Sequence, residues 1–492
     1  MFEAAELGRK VSKQEFAERE RDLQTRLLAA QQRLAEAKFP VIVVVSGVEG
    51  SGKGDVVSRL HGWLDTRGIQ THAFWDESDE ERQRPHYWRF WRVMPPKGTL
   101  GMLFGSWYTQ PIVERAHDRI DADAFERELT RIVDFERMLT DDGALLVKFW
   151  YHLSKGEQAR RVEEDGKSRH GSRLSHLAKE YAKRYDDFTE ASSRALRVTD
   201  TGNAPWYVIE AQNRRYRDLT TGVTLLESIE RRLERDEASR PIDIRSSAMA
   251  PDTEGASITV LDRVDRAQQA SEDVDKEIRK LQAQLHRLTW KAWKKGRNTV
   301  AVFEGWDAAG KGGAIRRVTA GIDARLYRVI TIGAPTDEER AQHYLWRFWR
   351  HVPRKGFVTI YDRSWYGRVL VERIEGFAEH HEWKRSYQEI NDFEEQLTEH
   401  GVVLLKFWIH IDPDEQLRRF EERQNTPWKQ HKITDEDWRN RDRWDAYKLA
   451  INDMVARTST HAAPWTLVAG NDKRFARLQV LRTFCERLQA EL

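Results

Sequence analysis

The sequence predicts an α/β protein built from two copies of one α/β/α sandwich, and three observations support this fold class. The first is an internal repeat, in which Lys53 and Lys311 occupy the same motif 258 residues apart. The second is a series of short apolar runs alternating with helical patterns, which is typical of parallel strands buried on both faces of a sheet. The third is the length of 492 residues, because a single hydrophobic core stops growing well below that size.

The repeat stays in register along both halves. Trp-Arg-Phe-Trp-Arg occurs at 88–92 and again at 346–350, and Ser-Trp-Tyr and Ala-Pro-Trp also recur. A period of this length is that of a domain rather than of a solenoid. We therefore predict an N-terminal domain over 1–239, a linker rich in Pro, Ser, Ala and Asp over 240–257, and a C-terminal domain over 258–492.

Composition limits the class of protein and its compartment. The 82 Lys and Arg residues against 80 Asp and Glu residues give a formal net charge of +2, which provides no argument for nucleic-acid or membrane binding. The longest apolar runs, such as Val41–Val45, are far too short to span a bilayer, and the first residues lack the apolar stretch of a signal peptide. The single cysteine, Cys485, fits a reducing compartment. We expect a cytoplasmic protein without a membrane segment or a nucleic-acid partner; homo-oligomer formation is compatible with the sequence.

Each domain is expected to open with an amphipathic helix and to continue with a five-stranded parallel sheet. Leucines at helical spacing mark the first helix of each copy, for example Leu23 and Leu27 or Leu281 and Leu285. In the second copy, we predict strands at Thr299–Glu304, Val329–Ile332, Phe357–Tyr361, Val402–Ile409 and Pro464–Val468.

A glycine-rich loop follows the first strand of the second copy. The segment Gly305–Gly312 reads Gly-x4-Gly-Lys and lies between an apolar strand and a helical stretch, which is the context that a phosphate-binding P-loop requires. An ordinary glycine-rich turn is the alternative, but the same motif after an apolar strand in both copies favours the P-loop. Lys311 would neutralise donor phosphates, and backbone amides would cradle them at Gly305, Ala308, Ala309, Gly310 and Gly312.

Two carboxylates are candidates for a metal site. The Ser or Thr that usually follows the P-loop lysine is replaced by Gly312, so the metal needs other oxygen ligands. Asp307 lies in the loop, and Asp362 lies at the carboxyl end of the third strand, where ligands bind in open α/β sheets. The pair suits Mg²⁺. Two alternatives remain open, a helix N-cap for Asp362 and orientation of the acceptor for Asp307.

The two copies differ at these positions. Lys53 is retained in the first copy, but the strand-end carboxylate and arginine are not. We therefore predict a degenerate first domain and place catalysis on Asp307, Lys311, Asp362 and Arg363 of the second. The residues opposite Asp307, Asp362 and Arg363 are Glu49, Phe104 and Gly105.

Residues 417–432 are expected to form a helical lid that brings cations to the transferring phosphoryl group. The alternative is a solvated helix face with Glu421 and Glu422 as ion-pair partners. The candidate phosphate-binding cations of this segment are Arg418, Arg419, Arg423, Lys429 and Lys432.

Lys406 lies within an otherwise apolar strand, so it must find an anion. We include Lys406 among the candidate phosphate-binding residues, with a buried carboxylate as the alternative partner. Arg347, Arg350 and Lys355 are interleaved with aromatic residues and could line a polyanion channel, although simple core packing is favoured for the aromatics.

Taken together, four motifs resemble the family-2 polyphosphate kinases, and the resemblance runs nearly end to end. They are Glu-Gly-Trp-Asp-Ala-Ala-Gly-Lys-Gly-Gly at 304–313, Tyr-Asp-Arg-Ser-Trp-Tyr at 361–366, Leu-Leu-Lys-Phe-Trp at 404–408 and Arg-Phe-Glu-Glu-Arg before Pro427.

The resemblance implies tandem P-loop kinase-like domains and an activity that uses inorganic polyphosphate to phosphorylate nucleotides. It implies that Gly305–Gly312 is the Walker A loop, that Asp307 and Asp362 serve Mg²⁺, and that Lys311, Arg363 and the lid arginines contact phosphates. The fused two-copy form implies AMP as acceptor and ADP as product. His431 departs from the family, whose lid often has Trp at this point.

Three rival functions stay open. A polyphosphate-dependent ADP or GDP kinase of the same family differs in its acceptor. An ATP-dependent nucleoside monophosphate kinase shares the fold and loop but differs in its donor. A non-enzymatic polyphosphate or RNA binder would need only the basic segments, and the intact set of Asp307, Lys311, Asp362 and Arg363 argues against it.

Overall fold

The computed structural model describes residues 1–167, 183–238, 259–427, 430, 433 and 435–492. They divide into two compact units. The first contains the described residues within 1–77, 89–238 and 337–343, and the second those within 78–88, 259–336 and 344–492. The predicted linker over 240–257 lies outside the described residues, so the predicted domain boundaries stay a prediction.

The first half of the chain forms a parallel five-stranded sheet in the order β2-β3-β1-β4-β5. Its central strand β1 is apolar and almost wholly buried, as expected of a strand covered on both faces. The strands are β1 Val41–Gly47, β2 Ile69–Ala73, β3 Leu100–Phe104, β4 Leu145–His152 and β5 Trp206–Glu210.

Helices connect these strands. The leucine-spaced helix that precedes β1 is α1, in which Leu23, Leu27 and Leu34 are buried. The helices of this half are α1 Lys13–Leu34, α2 Lys53–Trp63, α3 Trp88–Trp91, α4 Thr109–Ala116, α5 Ala122–Asp141, α6 Lys155–Lys167, α7 Tyr185–Thr199 and α8 Arg214–Ala238, with short 3₁₀ turns at Phe2–Ala5 and Thr66–Gly68.

The second half repeats the sheet, in the equivalent order β10-β9-β6-β8-β7. This confirms the α/β class and the five predicted strands. The edge strand β7 starts two residues earlier than predicted, because Tyr327 and Arg328 also pair with β8 although neither extends the apolar run. The strands are β6 Thr299–Gly305, β7 Tyr327–Thr331, β8 Val358–Asp362, β9 Val403–His410 and β10 Trp465–Ala469.

The helices of the second half again alternate with the strands. They are α9 Val274–Lys295, α10 Lys311–Thr319, α11 Asp337–Arg340, α12 Trp346–Trp349, α13 Val371–Glu375, α14 His380–Glu399, α15 Pro413–Gln424, α16 Asp435–Asp442, α17 Trp444–Thr458 and α18 Lys473–Glu491, with 3₁₀ turns at Val260–Arg263 and Trp365–Val369. Within the described residues, no helix is long and apolar enough to cross a membrane.

A buried ion pair crosses the core of the second unit. The ammonium of Lys406 donates to Glu394 Oε2 at 2.7 Å, to the Tyr366 hydroxyl at 3.0 Å and to the Thr458 carbonyl at 2.6 Å. Its three donors are therefore used, and its side chain is 0% exposed. The expectation that Lys406 binds phosphate is wrong, and the buried-carboxylate alternative is correct.

The first unit contains the same arrangement, which identifies it as part of the scaffold. Lys148 donates to Glu136 at 2.7 Å, to the Tyr108 hydroxyl at 3.1 Å and to the Thr199 carbonyl at 2.7 Å. Both copies therefore keep the pair, whether or not they keep the candidate catalytic residues.

Cys485 is the only cysteine of the chain and is buried on α18. Its thiol contacts the Leu281 carbonyl at 3.5 Å. Burial raises the pKa of this thiol to about 11, so at neutral pH it is a protonated core residue.

Removing one partner of the buried pair should lower the stability of the fold. Glu394→Ala leaves the Lys406 charge buried and unpaired, so we expect the free energy of unfolding to fall by about 3 to 5 kcal/mol, measured by urea denaturation. The Glu394→Leu, Lys406→Met double variant removes both charges and should lose less. Equal losses in the two variants would contradict a penalty that arises from the uncompensated charge.

Candidate active site

The loop between β6 and α10 lies at the carboxyl end of the sheet. Gly305 has a φ of 152°, and a Cβ there would lie 2.6 Å from the Ile409 carbonyl oxygen, so only glycine fits. Gly310, with a φ of 110°, is the N-cap of α10. The chain therefore turns from a central strand directly into the N-terminus of a helix, as an anion-binding loop requires.

The side chain of the loop lysine folds back onto the start of the loop. Lys311 Nζ donates to the Gly305 carbonyl at 2.6 Å and to the Trp306 carbonyl at 3.3 Å. Its side chain is partly buried, so the charge stays at the loop.

A buried guanidinium fastens the back of this loop. Arg419 donates from Nη1 to the carbonyls of Ala308 and Ala309, at 3.0 and 2.8 Å, and from Nη2 to those of Gly470 and Asn471, at 2.6 and 3.0 Å. Its Nε donates to Glu415 at 2.5 Å, so all five donors are used.

The expectation that Arg419 contacts phosphate is therefore corrected, because Arg419 holds the loop instead. The first unit supports this conclusion. Arg161, the equivalent residue, makes the same kind of bonds, to Glu157 at 2.8 Å and to the Gly50, Ala211 and Gln212 carbonyls at 3.0, 3.1 and 2.7 Å.

Asp307 and Arg363 are brought together from different strand ends. Arg363 Nη2 lies 3.2 Å from Asp307 Oδ1, and Asn440 donates to Asp307 Oδ2 at 2.9 Å. Burial alone would lower the pKa of Arg363, but Asp307, Glu304 and neighbouring carboxylates outweigh it and raise that pKa. Arg363 is therefore a fixed positive charge at the mouth of the loop.

The backbone at Arg363 is strained. Arg363 has a φ of 63° and Ala308 a φ of 61°, values that non-glycine residues rarely adopt. The equivalent residues of the first unit, Gly105 and Gly50, have φ values of 77° and 79°, so the same conformation is available there without strain. Strain that a glycine would relieve points to a functional need for the side chain.

Asp362 ends β8 beside Phe303 of β6. Its side chain makes no hydrogen bond or ion pair with the described residues. The N-cap alternative does not apply, because Ser364 caps the following 3₁₀ turn by accepting from the Tyr366 amide. The Asp362 carboxylate therefore stays available to a ligand.

The two candidate carboxylates have the chemistry that a hard cation prefers. Mg²⁺ is often held by one or two carboxylates together with phosphate oxygens and water, and Asp307 and Asp362 supply carboxylates of that kind. Within the ranges that the structure describes, no cluster of three or more His, Cys, Asp or Glu side chains could hold a metal alone. A metal here would thus depend on the phosphates of a substrate.

Two residues of this site were not predicted. Glu304, the second-last residue of strand β6, is 6% exposed and accepts from Ser364 Oγ at 2.8 Å. Burial raises its pKa, while the Ser364 bond and the charges of Lys311 and Arg363 oppose that shift. Ser46 stands opposite Glu304 in the first unit, and that difference is the signal that could have revealed it. The other residue is Asn440, 133 residues from Asp307.

The candidate lid is only partly described. Arg418 of α15 is 59% exposed and is bonded to Glu415 at 2.7 and 2.8 Å, which matches the solvated-face alternative, and Arg423 is partly exposed. Lys429, His431 and Lys432 lie outside the described residues. The lid therefore stays a prediction.

The aromatic side chains near Arg347, Arg350 and Lys355 pack in the core, as the sequence favoured, while a polyanion channel lined by these cations stays a prediction. Trp346, Phe348 and Trp349 are buried, and the Trp349 ring packs edge-on against Phe393 at 4.8 Å. The Arg350 guanidinium stacks over Trp346 at 4.6 Å.

The loop of the first unit is neutralised by its own residues. Lys53 Nζ donates to Glu49 Oε1 at 2.9 Å and to the carbonyls of Gly47 and Val48, at 2.9 and 3.2 Å. Phe104 and Gly105 follow at the strand end, so this loop has neither the strand-end carboxylate nor the arginine.

Comparison with known proteins gives consistent matches. A family model described as polyphosphate kinase 2 matches residues 10–237 and 268–492. A polyphosphate:AMP phosphotransferase of Pseudomonas aeruginosa is 48% identical, covering 100% of this chain and 99% of the relative. One of Pseudomonas syringae pv. tomato is 46% identical, covering 99% and 98%. A crystal structure described as a polyphosphate kinase 2 from Pseudomonas aeruginosa PA01 has a TM-score of 0.89 and 47% identity, covering 100% of this chain and 99% of the other.

The shifted carboxyl of Glu304 predicts a pH-dependent stability. Its folded pKa lies above the ordinary value of 4.5, so the ionised form destabilises the fold as the pH rises through the folded pKa. Glu304→Gln should therefore be more stable than the native chain at pH 8, and the difference should vanish near pH 4. Thermal denaturation across that range measures it, and a Gln variant that is less stable at pH 8 would contradict the prediction.

Proposed function

The chain belongs to the polyphosphate kinase 2 family, and from this premise we propose that it transfers a phosphoryl group from inorganic polyphosphate to AMP, forming ADP. The proposal depends on one observation above all. The P-loop lysine and the Asp307–Arg363 pair lie at the same carboxyl edge of the sheet. The full-length relatives named as polyphosphate:AMP phosphotransferases favour this acceptor over ADP or GDP.

The donor would bind with its terminal phosphates on the loop amides. Lys311 would exchange its carbonyl bonds for phosphate oxygens, and Arg363 would face the charge that develops on the transferring group. These roles are electrostatic and positional, which is the main protein contribution to phosphoryl transfer.

The reaction itself needs little acid–base chemistry. An oxygen of the AMP phosphate attacks the terminal phosphorus of polyphosphate, the new P–O bond completes ADP, and the bridging oxygen leaves with the shortened chain. Because the AMP phosphate is already largely ionised at neutral pH, no general base is required.

We further propose that Asp307 and Asp362 hold a divalent cation, Mg²⁺. Such an ion would add positive charge to the donor phosphates, in place of the ion that a P-loop Ser or Thr usually binds. Arg363 and Asn440 already orient Asp307, which supports a ligand position for this carboxylate.

In this proposal the first unit does not catalyse transfer. The contacts of Lys53 with Glu49, and the replacement of the strand-end residues by Phe104 and Gly105, support that division. We also propose a cytoplasmic location, since a single buried thiol suits a reducing compartment.

The test is a ³¹P NMR or coupled assay with Mg²⁺ and long-chain polyphosphate, run in parallel with AMP, with ADP, and with AMP plus ATP. ADP formed from polyphosphate and AMP alone is the expected result. Turnover only when ATP is present would replace the proposal with an ATP-dependent nucleoside monophosphate kinase. ATP formed from ADP would change the acceptor. Polyphosphate binding without any product would leave a binding protein.

The two loop lysines form a matched pair of variants. Lys311→Ala should lower kcat by about 10² to 10³, because it removes a donor that faces the transferring charge. Lys53→Ala removes equivalent carbonyl bonds in the first unit and should keep near-native kcat. Steady-state kinetics with polyphosphate and AMP measure both, and an equal loss in the two variants would contradict a single active unit.

A further inference from the structure

A group of four cations lies beside the phosphate-binding loop of the second unit. We call Arg316 and Arg317 of α10 and Lys473 and Arg477 of α18 the flanking cluster. The Nη2 atom of Arg477 lies 3.4 Å from the point where a Cβ on Gly313 would stand. The cluster therefore borders the first turn of the P-loop helix, next to the candidate donor site.

Most of this charge is not compensated by protein groups. None of Arg316, Arg317 and Arg477 forms an ion pair with the described residues, and Arg316 has one weak bond, to the Gly312 carbonyl at 3.3 Å. Of the carboxylates nearby, Glu422 pairs with Lys473 at 3.5 Å and Asp275 pairs with Arg474 at 3.2 Å.

The two arginines of α10 act unfavourably on Arg477. Burial lowers the pKa of Arg477, and the charges of Arg317, Arg316 and Arg419 lower it further. Burial also lowers the pKa of Lys473, with Arg419 contributing and Glu422 opposing the shift. Glu422 and Asp275 offset only part of this cost, so an anion from outside would stabilise the cluster.

The first unit keeps two of the four cations, Arg59 opposite Arg317 and Arg214 opposite Lys473, and lacks the other two. Ser58 stands opposite Arg316, and Asp218 stands opposite Arg477. Asp218 is 2.8 Å from Arg217 and 3.7 Å from Arg59, so a carboxylate faces Arg59 where the second unit has another cation. All four cations thus occur together only in the unit with the candidate catalytic residues.

We propose that the flanking cluster binds the phosphates of the donor chain that lie beyond the transferring group, so that the enzyme selects long polyphosphate over short chains. This inference rests on the proposed function. A polyphosphate continues as a line of negative charges beyond its terminal groups, whereas ATP presents an uncharged nucleoside there. Cations placed beyond the terminal phosphates would attract the further charges of polyphosphate but would find no charge on the nucleoside of ATP.

The experiment replaces cluster residues with those of the first unit, in Arg316→Ser and Arg477→Asp. The KM for long-chain polyphosphate should rise about tenfold or more, and its salt dependence should weaken, because fewer counter-ions are exchanged. The KM for tripolyphosphate and the kcat with either donor should stay close to the native values. Arg474→Ala is the control, since it removes a charge from the same helix that Asp275 already neutralises.

The inference would be overturned if the KM changed equally for long-chain polyphosphate and tripolyphosphate, or if it changed for neither. Calorimetric binding of long-chain polyphosphate, without acceptor, to the native chain and to Arg477→Asp separates the two proposals. If the native chain forms no ADP from polyphosphate, the proposed function fails. The cluster assignment then stands or falls on whether binding is tenfold weaker in the variant. If Arg477→Asp weakened binding of single-stranded RNA as much as binding of polyphosphate, the cluster would be a general polyanion site, and the assignment would be overturned.

Discussion

The buried guanidinium of Arg419 holds together the parts on which the site depends. A P-loop must point its amides towards a ligand, so its carbonyls turn to the opposite side, where they need donors. Arg419 supplies those donors to Ala308 and Ala309, and it ties them to the segment after β10 through Gly470 and Asn471. The shape of the loop is thereby fixed before any anion arrives, and little ordering remains to oppose binding.

The duplication separates scaffold from chemistry within one chain. Both units keep the loop arginine, the buried lysine–glutamate pair and the strand order, because each of these satisfies groups that would otherwise be buried without partners. The residues that differ lie at the carboxyl ends of the strands and beside the loop helix, where ligands bind. Fold and activity have therefore changed independently, as expected where function resides in a site carried by a scaffold.

The sequence was sufficient for the strands and the loop because their signals are local. An apolar run followed by Gly-x4-Gly-Lys specifies a buried strand and the turn after it, wherever the rest of the chain lies. The sequence wrongly predicts a phosphate partner for Lys406 and Arg419, because it gives the charge of a long side chain but not its direction. Asn440 carried no signal, since its relation to Asp307 exists only after folding brings distant elements together. Glu304 could have been found by comparing the two halves, which is the nearest substitute for an alignment within a single chain.

The position of Cys485 has a practical consequence. The chain has no other cysteine, and this one is protonated and shielded within the core, so thiol-reactive reagents should leave the native protein largely unmodified. A cysteine introduced at an exposed position would then be the only accessible thiol. The natural sequence is thus already suited to attaching a single fluorophore or spin label, without prior removal of native cysteines.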